Sequence, residues 1–145
     1  MKPIQNCEVY IDGASHGNPG PAGIGVVFVG ERAKPIRRFS HYLGETTNNV
    51  AEYLALLYAL QEALQAGYTG LTVKTDSELL ARQINGQYKV RDPQLRLFHD
   101  LACHLVRSFH RWSIEHVPRE QNRLADRLAG QAVTSRMNAD FQNDR

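Results

Sequence analysis

Apolar and polar residues alternate from Cys7 to Asp12, with Cys7, Val9 and Ile11 on one side and Glu8, Tyr10 and Asp12 on the other. This period of two predicts a strand with one buried face. Ile24 to Val29 and Ile36 to Leu43 follow across glycine-rich and charged connectors, so the first third reads as a three-stranded antiparallel meander. The period changes at Asn49. Val50, Leu54, Leu57, Leu60 and Leu64 recur at helical spacing to Ala66, and Leu56 and Ala59 continue round the other side, as in a helix buried over much of its surface. Leu71 to Thr75 is a short apolar strand, and Ser77 to Asn85 a short helix stopped by Gly86. Asp92 followed by Pro93 supplies an N-cap and a first helical residue, and Leu95, Phe98, Ala102, Leu105 and Phe109 form the inner stripe behind them. Trp112 to Val117 is a last strand and Gln121 to Val133 a last helix. The polar tail from Met137 to Arg145 has no periodicity and is expected to fray.

Three strands, helix, strand, two helices, strand, helix describe an α/β layer fold: a mixed five-stranded sheet with helices on both faces. A strand reached from the first through a helix should lie parallel beside it by a right-handed crossover. Asp12 and Asp76 each end such a strand, which would bring both carboxylates to one C-terminal sheet edge, where open sheets bind ligands.

With 145 residues, 42% hydrophobic and 22% charged, the chain fits one domain over residues 1–136, with 137–145 as the tail. Lysine and arginine total 17 against 15 acids. Withdrawing four acids into a metal site leaves a surface more basic than the net +2 implies, which leans towards a polyanionic partner. Met1 to Tyr10 carries neither a long apolar run nor a small-residue cleavage site, and no stretch reaches membrane-spanning length, so a cytoplasmic protein without a membrane partner is expected. Cys7 and Cys103 lack zinc spacing and read as reduced packing residues, with a disulfide left open.

Asp12, Glu52, Asp76 and Asp126 sit at the ends or opening turns of otherwise apolar segments. Grouped carboxylates repel one another and lose hydration, which is costly unless a hard cation such as Mg2+ sits among them. Each acid also has a plainer explanation. Asp12-Gly13 is a turn signal. Glu52 follows Asn49 by three residues, as in a capping box. Asp76 precedes a helical Ser77-Glu78-Leu79-Leu80 and could be an N-cap. Asp126 stands apart, because it is read inside the last helix, where aspartate has poor propensity, with Asn122, Ala129 and Gly130 on its face. The plain explanations must hold together, in a topology that independently brings two acids to one edge. Metal-dependent phosphodiester chemistry is the simpler expectation.

Several strings then add to this: Tyr10-Ile11-Asp12-Gly13-Ala14-Ser15 with Gly17-Asn18-Pro19-Gly20; Thr46-Thr47-Asn48-Asn49-Val50-Ala51-Glu52; Lys74-Thr75-Asp76-Ser77; and His116-Val117-Pro118-Arg119-Glu120-Gln121-Asn122-Arg123-Leu124-Ala125-Asp126. In this order, over about Val9 to Ala132, the chain resembles type 1 ribonuclease H. The resemblance implies a ribonuclease H-like fold and an endonuclease that cuts the RNA strand of RNA–DNA hybrids, leaving 5′-phosphate and 3′-hydroxyl ends. It implies that Asp12 bridges two Mg2+ or Mn2+ ions, that Asp126 helps hold the ion carrying the attacking water, and that Glu52 and Asp76 hold the ion at the leaving-group side. Gly13 and Ser15 match positions lining the RNA strand, Asn18 and Asn49 match minor-groove contacts, Asn48 falls among the substrate positions, and Thr47 and Asn122 match a pocket for a DNA phosphate. Each of these also has a turn or capping explanation.

Two departures stand out. Many bacterial relatives carry a histidine on a flexible loop before the last helix, whereas His116 falls within the last strand. Arg119, on one helical face with Asn122 and Asp126 if it starts that helix, is the better candidate to steady a phosphate. The family's lysine-rich handle is replaced by Gln87-Tyr88-Lys89-Val90-Arg91. Hybrid binding is therefore expected to be weaker than in handle-bearing relatives and strongly salt-dependent, with duplex RNA open as a second substrate and a monomer as the working unit.

Overall fold

In a computed structural model, residues 5–30, 32 and 34–143 are described, those from 137 on by backbone alone. The meander is strands β1 (Asn6–Ser15), β2 (Gly20–Val29) and β3 (Pro35–Thr46). Helix α1 (Asn48–Gln65) leads to β4 (Gly70–Thr75), then α2 (Glu78–Ile84), α3 (Pro93–Val106), β5 (Arg111–His116), a 3-10 turn at Arg119–Gln121 and α4 (Arg123–Asn143). The sheet order is β3-β2-β1-β4-β5. β1 pairs antiparallel with β2 and parallel with β4, and β5 adds parallel to β4, so the mixed sheet expected from the element order forms.

The alternation along β1 explains the two layers. Cys7, Val9 and Ile11 face α1, joining Ile24, Val26, Phe28, Val73, Leu56 and Leu60 in the main core. The intervening face carries Tyr10 with Val27 and Val29, covered by Leu124, Ala125 and Leu128 of α4. α1 is buried on most of its circumference because it lies between the sheet and α3. Asp92 caps α3 as expected, accepting from the amides of Gln94 and Leu95. Both described cysteines are free.

Several boundaries differ from the sequence reading, each for a local reason. β1 runs on to Ser15, so Asp12-Gly13 is no turn and Asp12 pairs with Gly25 inside the ladder. α1 begins one residue earlier than Asn49, at Asn48, since Thr47 is its N-cap and accepts from Val50 N–H. The inner stripe's Phe109 lies past the end of α3 yet is still buried in the core. α4 starts at Arg123, and without a glycine or proline after Gly130 its backbone continues to Asn143, through most of the segment expected to fray; residues 144–145 lie outside the described part.

Candidate active site

Register does the first part of the assembly. The last β1–β4 rung is Ile11 with Thr75, so the next residues, Asp12 and Asp76, leave the same sheet edge side by side. Asp12 stays in the strand while Asp76 turns away into α2, whose N-cap is Ser77, its side chain accepting from Leu80 N–H. The capping explanation for Asp76 thus falls to its neighbour.

Glu52 is brought in by close packing of α1 on β1. Gly13 permits it: a Cβ there would collide with the backbone of Ala51 and Glu52. Glu52 Oε1 accepts from Gly13 N–H, while Oε2 is buried without a hydrogen-bond partner. With Thr47 as N-cap, Glu52 is too far into α1 for a capping box. Asp126 arrives from the opposite face. Gly25 lets α4 lie directly on β2, where any Cβ would meet the Ala125 carbonyl. Asp126 is in the first turn of α4, a position favourable to aspartate because the helix dipole is positive there, rather than deep in a helix.

Carboxylate oxygens of Asp12, Glu52 and Asp76 lie within 4.8 Å of one another. Asp126 flanks this triad in the same cleft, close enough to Asp12 to raise its carboxyl. Burial, then the charges of Glu52 and Asp76 and the contact with Asp126, push the Asp12 carboxyl up to about 10. Burial also lifts Glu52 to about 7, helped by the charge of Asp76 and opposed by the hydrogen bond from the Gly13 amide. Four acids thus crowd one cleft of about 300 Å³, lined by Asp12, Gly13, Asn48, Glu52, Asp76 and Asp126, with Ala14, Ser77 and Arg119 completing it.

Among the candidate substrate residues, Gly13 and Asn48 line this cleft, and the rest do not. Ser15 is half-buried, and Asn18 and Asn49 are exposed nearby in sequence. The Asn18 side chain accepts from Asn48 N–H, tying the loop after β1 to the start of α1. Asn122 is 1% exposed, and its amide donates to the Ile11 carbonyl at 2.8 Å. Arg119 sits on the 3-10 turn, 80% exposed in its side chain, with a guanidinium nitrogen 3.8 Å from Asp126. His116 ends β5 opposite Thr75 and is exposed. Ser77, which caps α2 and lines the cleft, is a further site residue; its signal in the sequence is a hydroxyl between an acid and an apolar helical run.

The family described as reverse transcriptase-like matches residues 10–132. A ribonuclease HI of Halobacterium salinarum is 42% identical over 86% of this chain and 62% of its own length. A ribonuclease H of Syntrophotalea carbinolica is 34% identical over 87% of this chain and 90% of its own length. The chain spans only 35 to 62% of the first curated relatives that it matches. The crystal structure of LC11-RNase H1 in complex with RNA/DNA hybrid superposes with a TM-score of 0.86 at 40% identity, covering 90% of this chain and 99% of that one. Fold order, acid positions and these likenesses coincide, and the chain belongs to the type 1 ribonuclease H family.

Proposed function

We propose that this protein is a metal-dependent endoribonuclease that hydrolyses the RNA strand of RNA–DNA hybrids. The observation that carries the reading is the Glu52 carboxyl, buried beside Asp12 and Asp76 with one oxygen unpartnered. A buried charge without a partner is strongly unfavourable, and three converging acids aggravate it. Such a set suits a hard divalent cation with oxygen ligands, Mg2+ or Mn2+, held by Asp12, Glu52 and Asp76 with Asp126 completing the cradle; two ions are the arrangement that the family resemblance implies. Bound there, the metal would lower the pKa of water and stabilise charge on the phosphate and the departing oxygen.

The chain's own groups position the substrate. Gly13 lines the cleft beside Asp12, and its backbone is the group that the resemblance sets along the RNA strand. Asn48 lines the same cleft; Ser15, Asn18, Thr47 and Asn49, close to these residues in sequence, are the further substrate contacts that the resemblance implies, and a 2′-hydroxyl distinguishes RNA from DNA there. Arg119 reaches over the cleft beside Asp126 and steadies the phosphate. In the reaction, water oxygen bonds to phosphorus, the P–O3′ bond breaks, O3′ takes a proton and the other fragment keeps the phosphate on its 5′ end. Only eight residues, 85–92, join α2 to α3, which supports a variant without the basic handle. Among the described residues no helix is long and apolar enough to cross a membrane.

The test is cleavage of labelled RNA–DNA hybrid, duplex RNA and duplex DNA with Mg2+, Mn2+ or chelator, repeated with Asp12→Asn. Cutting of the hybrid's RNA strand that needs metal and is lost in Asp12→Asn is expected. Undiminished cutting by that variant would overturn the reading.

A further inference from the structure

The first turn of α4 brings Asp126 to a sheet edge that belongs to the other three acids, and one side chain fastens it there. Asn122 is 1% exposed at the junction of the 3-10 turn and α4. Its Nδ2 donates to the Ile11 carbonyl at 2.8 Å, on the residue immediately before Asp12 and on the last rung that β1 shares with β4. Its own carbonyl accepts from Asp126 N–H at 3.0 Å. Two hydrogen bonds and one peptide unit therefore link the backbones of Asp12 and Asp126 through a single residue. The side-chain bond is made where β4 parts from β1, and Asn122 Oδ1 has no protein donor, so that contact is the whole of the amide's pairing. Apolar packing of Ala125 and Leu128 holds α4 against the sheet but is non-directional and allows sliding along it; a buried hydrogen bond fixes register.

We propose that Asn122 is a positioning residue that sets Asp126 against Asp12, rather than a contact for DNA. This rests on reading the four acids as the catalytic cradle. A displacement of about 1 Å in such a group lowers turnover by roughly a hundredfold when geometry is the limiting factor. Binding of the hybrid, made at the cleft rim, does not pass through the buried amide.

Asn122→Ala, Asn122→Ser and a cavity-forming control in the same helix, Val133→Ala, separate the possibilities. Two readouts are needed: kcat and KM on RNA–DNA hybrid at saturating Mg2+, and amide hydrogen exchange of the metal-free protein. For Asn122→Ala, kcat falls at least tenfold with KM within twofold, and exchange at Asp126 rises at least tenfold while Val133 is unchanged. Asn122→Ser, with a shorter donor, shows the same pattern to a smaller degree, and carries the test if the alanine variant does not fold. Val133→Ala loses thermal stability and keeps kcat. A raised KM with unchanged kcat, or an equal loss of kcat in Val133→Ala, would overturn the assignment. A wild-type protein that cleaves no hybrid would sink the functional reading instead, and the exchange comparison would still decide the clamp.

Discussion

Removing the metal from this cradle should leave a protein that is strained by its own active site, and replacing Asp12 with asparagine should relieve it. Burial, and then crowding by Glu52 and Asp76, push the Asp12 carboxyl up to about 10, from an ordinary 3.8. At pH 7 the metal-free fold therefore carries Asp12 protonated, whereas the unfolded chain has it ionised. Each pH step above 3.8 costs about 1.4 kcal/mol, so roughly three steps give an upper bound of about 4 kcal/mol. The acids share protons, which reduces this to about half for the single substitution. The sign follows from proton counting: between pH 4 and 10 the folded state binds more protons than the unfolded one, so stability falls as pH rises. Asp12→Asn, which needs no proton, should raise the midpoint of thermal unfolding in chelator at pH 7 by about 4–8 °C. At pH 5 the gain should shrink to a minor fraction, and Mg2+ or Mn2+ should stabilise the wild type far more than the variant. Melts followed by circular dichroism at both pH values decide it. A metal-free variant no more stable than wild type at pH 7, or a gain indifferent to pH, would refute the crowding.

Gly13→Ala drives a methyl into the α1 backbone and should cost at least about 3 kcal/mol in urea unfolding, with turnover lost as Glu52 is displaced. Arg119→Ala, an exposed change, should leave stability within about 0.5 kcal/mol while lowering kcat/KM about tenfold; unaltered kinetics would make it an ordinary surface arginine. Without a handle, the slope of log affinity against log salt for an RNA–DNA hybrid should be shallower than that of a handle-bearing relative measured alongside, since each phosphate contact contributes close to one unit. An equally steep slope would contradict it.

The sheet and the meeting of Asp12 with Asp76 were legible because a crossover through a helix leaves little topological choice. The Asp92-Pro93 start of α3 was legible because both residues act locally. The start of α1 was not: Thr47, Asn48 and Asn49 all make good caps, and the packing of Gly13 on Ala51, a contact between distant segments, decides among them. Asp126 was placed too deep in its helix because a 3-10 turn continues the spacing that a helix would show. The burial of Asn122 was not legible either. A polar residue beside an acid reads as surface, and only the tertiary approach of α4 to β1 reveals a backbone carbonyl waiting for it. Glu52 could be named from motif resemblance, but its unpartnered oxygen is a property of the assembled cleft.

The most direct measurement is anomalous scattering from crystals of the protein equilibrated with Mn2+. A shared carboxylate cradle predicts a manganese peak within about 2.3 Å of oxygens from Asp12 and Glu52, with Asp76 or Asp126 in its coordination sphere. Saturating Mn2+ that leaves this cleft without a peak, or binds elsewhere while hybrid cleavage proceeds, would contradict it.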